Sequence, residues 1–185
     1  MRRPKLGQIG WHVFNRGARR LTLFSDDEDY SKFLKLLREA VNLSGCLLWA
    51  YALMPNHYHL ILHASSEQLT ACMWRLDYMF SRYHNQKYGL TGHTFEGPYE
   101  AYRQRSLWFL IRKIIYVLLN PVKGRLITRP EEYKWSNFKA YLGVPGSPVE
   151  TEISSVLRMI DPDFVGGHFK TSQRGSDENQ PVTRS

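Results

Sequence analysis

Two histidines separated by a single residue are the part of this sequence best suited to chemistry. His57 and His59 lie in the stretch Leu47–Leu62, LLWAYALMPNHYHLIL, which is the most strand-like part of the chain. Side chains alternate between the two faces of a strand, so both imidazoles are expected on the same face. Two imidazoles held side by side on a sheet can bind a divalent metal and leave positions open for water or substrate oxygens.

A His-x-His pair also occurs without a metal, with each ring bonded to the backbone or facing water. No cysteine or third histidine follows the pair at the spacing of a metal finger, which argues against a structural zinc site. The residues alone therefore leave two interpretations open. One is an ordinary pair of strand histidines, and the other is a catalytic metal site with further ligands from elsewhere in the fold.

The pattern around the pair predicts a β-hairpin, with Leu47–Met54 as a buried strand, Pro55 and Asn56 as a tight turn, and His57–His63 as the second strand. The neighbouring elements are the strand Gln8–Asn15, a helix over about Asp26–Leu43 after a Ser25/Glu28 capping box, a helix from a Ser65/Gln68 capping box to before Gly89, and the strand Tyr99–Arg103. This order predicts an α+β fold of the ferredoxin-like, split βαβ type, an antiparallel sheet with both helices on one face.

A third helix is predicted from Ser106 until Pro121 stops it. Arg112, Tyr116 and Asn120 follow one another at i, i+4 and i+8, so a cation, a phenol and an amide would share the polar face. The position of Tyr116 is also compatible with an ordinary half-buried aromatic. The expected buried side is Leu107, Leu110, Ile111, Ile114, Ile115 and Leu118. Beyond it, Pro130 is expected to open a short helix that Gly143 ends.

The chain is basic, with 25 lysines and arginines against 17 aspartates and glutamates and a net charge of +8. This balance favours a polyanionic partner, nucleic acid first, with a generic basic protein as the alternative. Aromatic residues make up 14% of the chain, and some can stack on unpaired bases. No apolar run reaches the length of a membrane span, and the first residues lack the apolar segment of a signal peptide, so a cytoplasmic location is expected.

Two motifs together resemble the single-tyrosine, His-hydrophobic-His transposases, and more closely their REP-associated tyrosine transposase branch. They are MPNHYHLIL at Met54–Leu62 and YVLLNPVK at Tyr116–Lys123. The resemblance begins at HVFNRG, His12–Gly17, and continues to YKWSNFKAYLG, Tyr133–Gly143. One departure is the bulky Tyr58 between the two histidines.

The resemblance implies that His57 and His59 hold a magnesium or manganese ion, with Asn120 as a third ligand or metal-site partner. It also implies that Tyr116 is the nucleophile. Phenols are poor nucleophiles at neutral pH because their pKa is about 10, so attack on a phosphodiester needs a metal to stabilise the developing charge. The expected product is a 5′-phosphotyrosine and a free 3′-hydroxyl, and strand transfer then needs no ATP.

The expected function is a metal-dependent transposase or endonuclease that cleaves and rejoins single-stranded DNA beside hairpins such as REP-like palindromes. The candidates for phosphate contacts are Arg16, Arg19, Arg20, Arg103, Arg105, Arg112 and Lys123. Two other functions stay open: a catalytically idle or domesticated hairpin-binding protein, and a metal-dependent hydrolase that uses bound water. A monomer associated with the nucleoid is favoured, and a dimer stays open.

The expected domain organisation has three parts. Residues 1–143 form the transposase domain, residues 144–170 a C-terminal helical extension, and residues 171–185 a disordered tail. The last segment, TSQRGSDENQPVTRS, has almost no apolar residues with which to build a core.

Overall fold

A computed structural model of the chain describes residues 10–144, 151–153 and 156, and shows a mixed α/β fold built on a four-stranded antiparallel sheet. The strands are β1 (Trp11–Arg16), β2 (Leu47–Met54), β3 (His57–His63) and β4 (Glu100–Arg103). The helices are α1 (Asp27–Ser44), α2 (Ser66–Tyr88), α3 (Leu107–Leu118), α4 (Asn120–Lys123) and α5 (Phe138–Tyr141). Short 3-10 turns occur at Ala18–Arg20 and Pro130–Glu132.

The strands lie side by side in the order β2-β3-β1-β4, and each neighbouring pair is antiparallel. This is the order of the split βαβ arrangement, so the ferredoxin-like fold class predicted from the sequence is confirmed. The His-bearing hairpin is also confirmed, with β2 and β3 at the predicted residues.

The sheet has two differently covered faces because side chains alternate along each strand. Val13 of β1 and Tyr58 and Leu60 of β3 point into the main core, where they meet apolar residues of α1 and α2 such as Phe33 and Phe80. The opposite face is covered over β2 and β3 by α3. His12, Phe14, His57 and His59 share the parity of this second face.

The two long helices begin and end close to the predicted positions, with one correction. The N-cap of α1 is Asp26, whose carboxylate accepts from the Asp29 N–H at 3.0 Å, so the predicted Ser25/Glu28 capping box is wrong by one residue. The predicted capping box of α2, Ser65 with Gln68, is present, and α2 ends at Tyr88 before a left-handed Gly89.

The third helix differs from its prediction in its end and in its buried side. It ends at Leu118, and Pro121 then lies inside the first turn of the short helix α4, where the missing N–H costs nothing. Ile115 was predicted to be buried but is 50% exposed, because α3 rests on the sheet through a narrower stripe. The buried residues of that stripe are Leu110, Ile114, Val117 and Leu118.

The predicted helix from Pro130 to Gly143 is wrong, because much of this segment is extended and runs along β2, the edge strand of the sheet. Only the 3-10 turn and α5 are helical there. The Leu53 N–H donates to the Trp135 carbonyl at 2.9 Å, and the Asn137 side chain accepts from the Tyr51 N–H and donates to the Trp49 carbonyl. These contacts pair backbone groups that an edge strand would otherwise leave exposed.

Two predictions concern the C-terminal part of the chain. The helical extension at 144–170 falls mainly outside the described residues, and the tail at 171–185 falls wholly outside them. The first compact unit extends to Ile153, and the Glu152 N–H within it donates to the Leu48 carbonyl of β2 at 3.0 Å. The described residues contain no helix that is both long and apolar enough to cross a bilayer.

Replacing Asn137 with alanine tests the covered edge of β2. The free energy of unfolding is expected to fall by about 1–3 kcal/mol, because the buried Tyr51 N–H loses its acceptor. Urea denaturation followed by circular dichroism measures the loss. Ser136→Ala is the matched control, since that hydroxyl makes only long hydrogen bonds of 3.5 and 3.4 Å. Equal losses in the two variants would contradict the role of Asn137 as the acceptor that stabilises the edge of β2.

Candidate active site

A cleft of about 790 Å³ opens on the second face of the sheet, between β1, β3 and the side of α3. Its floor is formed by strand residues that include His12, His57 and His59. Lys113, Tyr116 and Asn120 form the wall on the side of α3 and α4. The histidine pair and the tyrosine helix, predicted separately, therefore line one cavity.

His57 and His59 lie on the same face of β3, as their spacing predicts. Their ring centroids are 5.1 Å apart and the rings are nearly perpendicular. His59 is buried, whereas His57 is partly open to the cavity. Among the described residues, no group of three or more His, Cys, Asp or Glu side chains has the arrangement of a metal site. Any ion held by this pair would therefore need amide, water or substrate oxygens as well.

Both histidines have their Nδ1 atoms engaged in hydrogen bonds. His57 Nδ1 lies 2.7 Å from the side-chain oxygen Oδ1 of Asn56, the last residue of the hairpin turn. His59 Nδ1 lies 3.1 Å from Nε2 of His12 on the adjacent strand. With the protons on Nδ1, both rings carry their lone pair on Nε2. Hydrogen bonds of this kind orient the imidazoles that ligate metals in proteins.

His12 is a site residue that sequence reasoning missed. Its ring is stacked on that of His59, with centroids 5.2 Å apart, and it is buried. The motif HVFNRG includes it, but the motif alone does not say which strand lies next to β3. The pairing of β1 with β3, Phe14 opposite His59, brings His12 to this position.

The buried histidines of the cleft favour the neutral state. Burial, helped by the charge of Lys113, lowers the pKa of His12 to about 4. Burial and the neighbouring His12, His57 and Lys113 lower the pKa of His59 to about 3. Burial and the Arg16 guanidinium also lower the pKa of His57, against an opposing hydrogen bond with Asn120. Neutral imidazoles are the form that binds metal ions.

Tyr116 faces this histidine cluster from α3. Its ring meets those of His59 and His12 edge-on, with centroids 5.8 and 6.2 Å away. The ring is 37% exposed, so a substrate can reach it. The ammonium groups of Lys113 and Lys123 lie 4.9 and 4.4 Å from the ring centroid. The phenol is therefore surrounded by cations that favour an anionic group beside it.

The helix wall of the cleft follows a different stripe from the one predicted. Phe109, Lys113, Tyr116 and Asn120 line it, at spacings of four, three and four residues. Arg112 does not line the cleft, and its guanidinium lies 5.7 Å from the Trp108 ring instead. Lys113 was missed because the prediction stepped back from Tyr116 by four residues, although three is equally compatible with a helix.

Asn120 is buried at the start of α4, within hydrogen-bonding reach of His57. Its amide nitrogen has no hydrogen-bond partner among the described residues. A buried amide nitrogen without a partner is an arrangement expected where a hydrogen-bond acceptor, such as a substrate oxygen, completes the site. Two imidazole nitrogens and an amide oxygen also suit Mn²⁺ chemically, and Mg²⁺ if water and phosphate oxygens make up most of its ligands. The residues present therefore fit a divalent metal.

The hairpin turn at Pro55 and Asn56 is supported by the segment between β1 and α1, residues 17–26. The Gly17 N–H donates to the Asn56 carbonyl, and Leu23 and Phe24 donate to that of Pro55. Gly17 is required here, because a Cβ would lie 2.1 Å from the Leu21 carbonyl oxygen. This segment thus fixes the turn from which β3, the strand that carries the histidines, begins.

The predicted phosphate-binding residues are spread over several parts of the surface. Arg16 and Arg20 line the cleft, and Lys123 lies over the Tyr116 ring. Arg19, Arg103, Arg105 and Arg112 lie outside the cavity. Arg19 and Arg20 both have left-handed backbone dihedrals, with φ of 52° and 65°. Non-glycine residues rarely adopt this conformation, and such residues concentrate at functional sites.

Tyr58 points away from the cleft and anchors the histidine strand to α2. Its hydroxyl donates to Asp77 Oδ1 at 2.7 Å, and the Asn15 amide donates to Asp77 Oδ2 at 3.1 Å. Burial raises the pKa of Asp77 to about 6, against the effect of these hydrogen bonds. The bulky residue between the histidines therefore ties β3 to α2 and leaves the side of the strand that faces the cleft unchanged.

The sequence model of the family described as "Transposase IS200 like" matches residues 6–104, more than half of the chain. The chain belongs to this family. The IS200-like match covers β1 to β4 and includes the histidine pair, and α3 with Tyr116 lies beyond it. No curated protein sequence matches the chain.

Two solved structures are similar to a larger share of the chain than the family model covers. One, described as a REP-associated tyrosine transposase bound to a REP hairpin, is 14% identical with a TM-score of 0.56 and covers 83% of this chain and 92% of that one. A putative transposase from Deinococcus radiodurans R1 is 18% identical with a TM-score of 0.45, and covers 62% of this chain and 94% of that one. The resemblance predicted from the sequence is thus confirmed for the IS200-like family and for the fold.

The buried His12 ring predicts a specific pH dependence of stability. Its folded-state pKa lies below the unfolded value, so the unfolded chain binds more protons and stability falls as the pH drops from about 6.5 towards 4. Between pH 7 and 5 the free energy of unfolding of wild type should fall by about 1–2 kcal/mol more than that of His12→Gln. Urea denaturation at each pH measures this difference.

The exposed His93 supplies the control for this measurement. His93→Gln should follow the pH dependence of wild type, because this exposed side chain lies outside the histidine cluster of the cleft. If His12→Gln also follows wild type between pH 7 and 5, His12 is not held in its neutral form by the fold.

Proposed function

We propose that this IS200-like protein is a metal-dependent strand transferase that cleaves and rejoins single-stranded DNA beside hairpins, with Tyr116 as nucleophile. The observation that carries the proposal is the placement of the Tyr116 ring against His59, 5.8 Å away, in a cleft lined by cations. A water-activating hydrolase has no use for a phenol in this position. The ring is also exposed enough to meet a phosphate.

The residues proposed to hold the metal are His57, His59 and Asn120. A bound Mg²⁺ or Mn²⁺ would polarise the scissile phosphate and offset the charge that develops on it. Asn56 and His12 would keep the two imidazoles in the tautomer that leaves Nε2 free. The neutral state favoured by burial keeps that lone pair available at physiological pH.

The chain's own residues supply binding and attack. Arg16, Arg20, Lys113 and Lys123 would place a phosphodiester at the mouth of the cleft by charge attraction. Attack of the Tyr116 oxygen on phosphorus forms a 5′-phosphotyrosine, and the phenol gives up its proton. The bond to the 3′ oxygen breaks, and that oxygen leaves as a free 3′-hydroxyl after taking a proton. The reverse reaction with another 3′-hydroxyl rejoins the strand without ATP.

The proposed substrate is single-stranded DNA that carries a hairpin. The net charge of +8 favours DNA, and the similar solved structure is described as bound to a REP hairpin. An unpaired strand can bend into a cleft of this size, whereas a stiff duplex cannot follow the same path. We propose a monomer acting at the nucleoid, with Arg19, Arg103, Arg105 and Arg112 as contacts for DNA outside the cleft.

Covalent trapping with labelled hairpin DNA tests the function directly. Wild type with Mn²⁺ should form a denaturant-resistant adduct, and Tyr116→Phe should form none, because it lacks the attacking oxygen. Omission of the metal should abolish the adduct as well. Cleavage that persists in Tyr116→Phe would contradict the proposal in favour of a hydrolase. Tight binding without cleavage by the folded wild type, across several hairpins, would identify an idle hairpin-binding protein instead.

A comparison of two neighbouring cations tests the wall of the cleft. Lys113→Ala should slow cleavage about tenfold or more, since the ammonium group lies beside the Tyr116 ring and a charged contact contributes about 1.5–3 kcal/mol. Arg112→Ala removes the same charge one residue away and outside the cavity. It should affect cleavage less and act mainly through binding. Single-turnover rates with saturating DNA separate the two effects, and a larger loss of rate in Arg112→Ala would contradict the structure of the cleft.

A further inference from the structure

The outer face of α2 carries two aromatic rings that are stacked on each other and open to solvent. Trp74 and Tyr78 lie one helical turn apart, with ring centroids separated by 5.3 Å and planes inclined by only 4°. They are 66% and 47% exposed, although tryptophan is among the more buried residues on average. The Arg82 guanidinium, another turn along, lies 5.8 Å from the Tyr78 ring. The three side chains form a ladder of indole, phenol and cation.

Trp74 and Tyr78 of this ladder line a second cavity, separate from the cleft of Tyr116. The cavity has a volume of about 570 Å³, within the range of about 300–1,000 Å³ typical of small-molecule sites. The loop from His93 to Tyr99 forms its other side. At Gly97 in this loop no atom lies within 4 Å of the place a Cβ would take, so the wall is open there.

The same loop connects the second cavity to the mouth of the first. The Glu96 N–H donates to the Arg16 carbonyl at 2.8 Å, and the Glu96 carboxylate lies 3.7 Å from the Arg16 guanidinium. Phe95 pairs with Gly17, and the Asn15 amide donates to the Gly97 carbonyl at 3.1 Å. Arg16 itself lines the first cleft. The loop therefore contacts Arg16 at the first cleft with one end and lines the second cavity with the rest.

From this geometry we infer that the second cavity binds an unpaired base of single-stranded DNA, stacked on Trp74. Flat aromatic rings with a free face extend their stack by one more planar ring, and bases stack on aromatic side chains without sequence preference. The exposed Arg75 and Arg82 offer charges for the adjoining phosphates on a chain of net charge +8. The inference rests on the proposed function for the presence of DNA, and adds a site outside the catalytic cleft.

Binding of two labelled strands of equal length tests the inference. One is a short oligothymidylate, and the other carries abasic sites in place of the bases, so the phosphates are the same. Fluorescence anisotropy is measured in the Tyr116→Phe background, where no covalent reaction interferes. Trp74→Leu should weaken binding of the oligothymidylate about tenfold, within the range of about 1–3 kcal/mol for one stacked base. Its affinity for the abasic strand should not change.

Two variants control the comparison. Trp74→Phe keeps a ring and should retain most of the affinity for the oligothymidylate. Leu43→Ala removes an exposed apolar side chain from α1 and should bind both strands as the background protein does. The inference would be overturned if Trp74→Leu bound the oligothymidylate as tightly as the Tyr116→Phe background protein does, or if it lost the same affinity for both strands. Conversion of a dimer to a monomer by Trp74→Leu, with unchanged DNA binding, would overturn it in favour of self-association.

The adduct assay with the wild-type chain, combined with the binding measurements on Trp74→Leu, separates this inference from the proposed function. If wild type forms the adduct and Trp74→Leu loses no affinity that depends on the bases, the stacking site alone is overturned. A base-dependent loss in Trp74→Leu together with no adduct from wild type overturns strand transfer by Tyr116 alone, and leaves a protein that binds single strands at α2.

Discussion

The antiparallel pairing of β1 with β3 is the constraint on which the candidate active site depends. It places His12 beside His59, so that the Nδ1 atom of His59 is engaged by a neighbouring strand. The turn before β3 does the same for His57 through Asn56. Because both Nδ1 atoms are engaged, both rings can present Nε2 to one cleft. Burial then keeps the imidazoles neutral, which is the state a metal requires.

The other half of the site depends on how α3 meets this sheet. A narrow apolar stripe fixes the rotation of α3, and that rotation turns Lys113 and Tyr116 towards the histidines and leaves Arg112 outside. The chain turns from α3 into the short helix α4 just before Pro121, and Asn120 at the start of α4 comes within hydrogen-bonding reach of His57. On the opposite side of β3, the tie from Tyr58 to Asp77 holds the strand against α2. The cleft and the aromatic ladder of α2 are thus supported by the same strand.

Local patterns were enough to predict the fold class, the hairpin and the cap of α2, because each depends on residues close together in the chain. Apart from the one-residue error in the cap of α1, the predictions that failed depend on distant contacts. Whether Ile115 is buried follows from the tilt of α3 on the sheet, and whether the segment after Pro130 is helical follows from the free edge of β2. His12 and Lys113 were missed for the same reason. Periodicity limits which residues of a helix or strand share a face, but the neighbouring element decides which of its faces is buried.

Anomalous scattering from crystals of the wild-type protein soaked with Mn²⁺ locates a bound metal directly. One strong peak is expected in the cleft, within bonding distance of Nε2 of both His57 and His59 and next to the Asn120 amide. A peak held by only one of these histidines, a peak bound through Nδ1, or a strong peak only elsewhere on the chain would show that the fold does not orient both rings towards one ion.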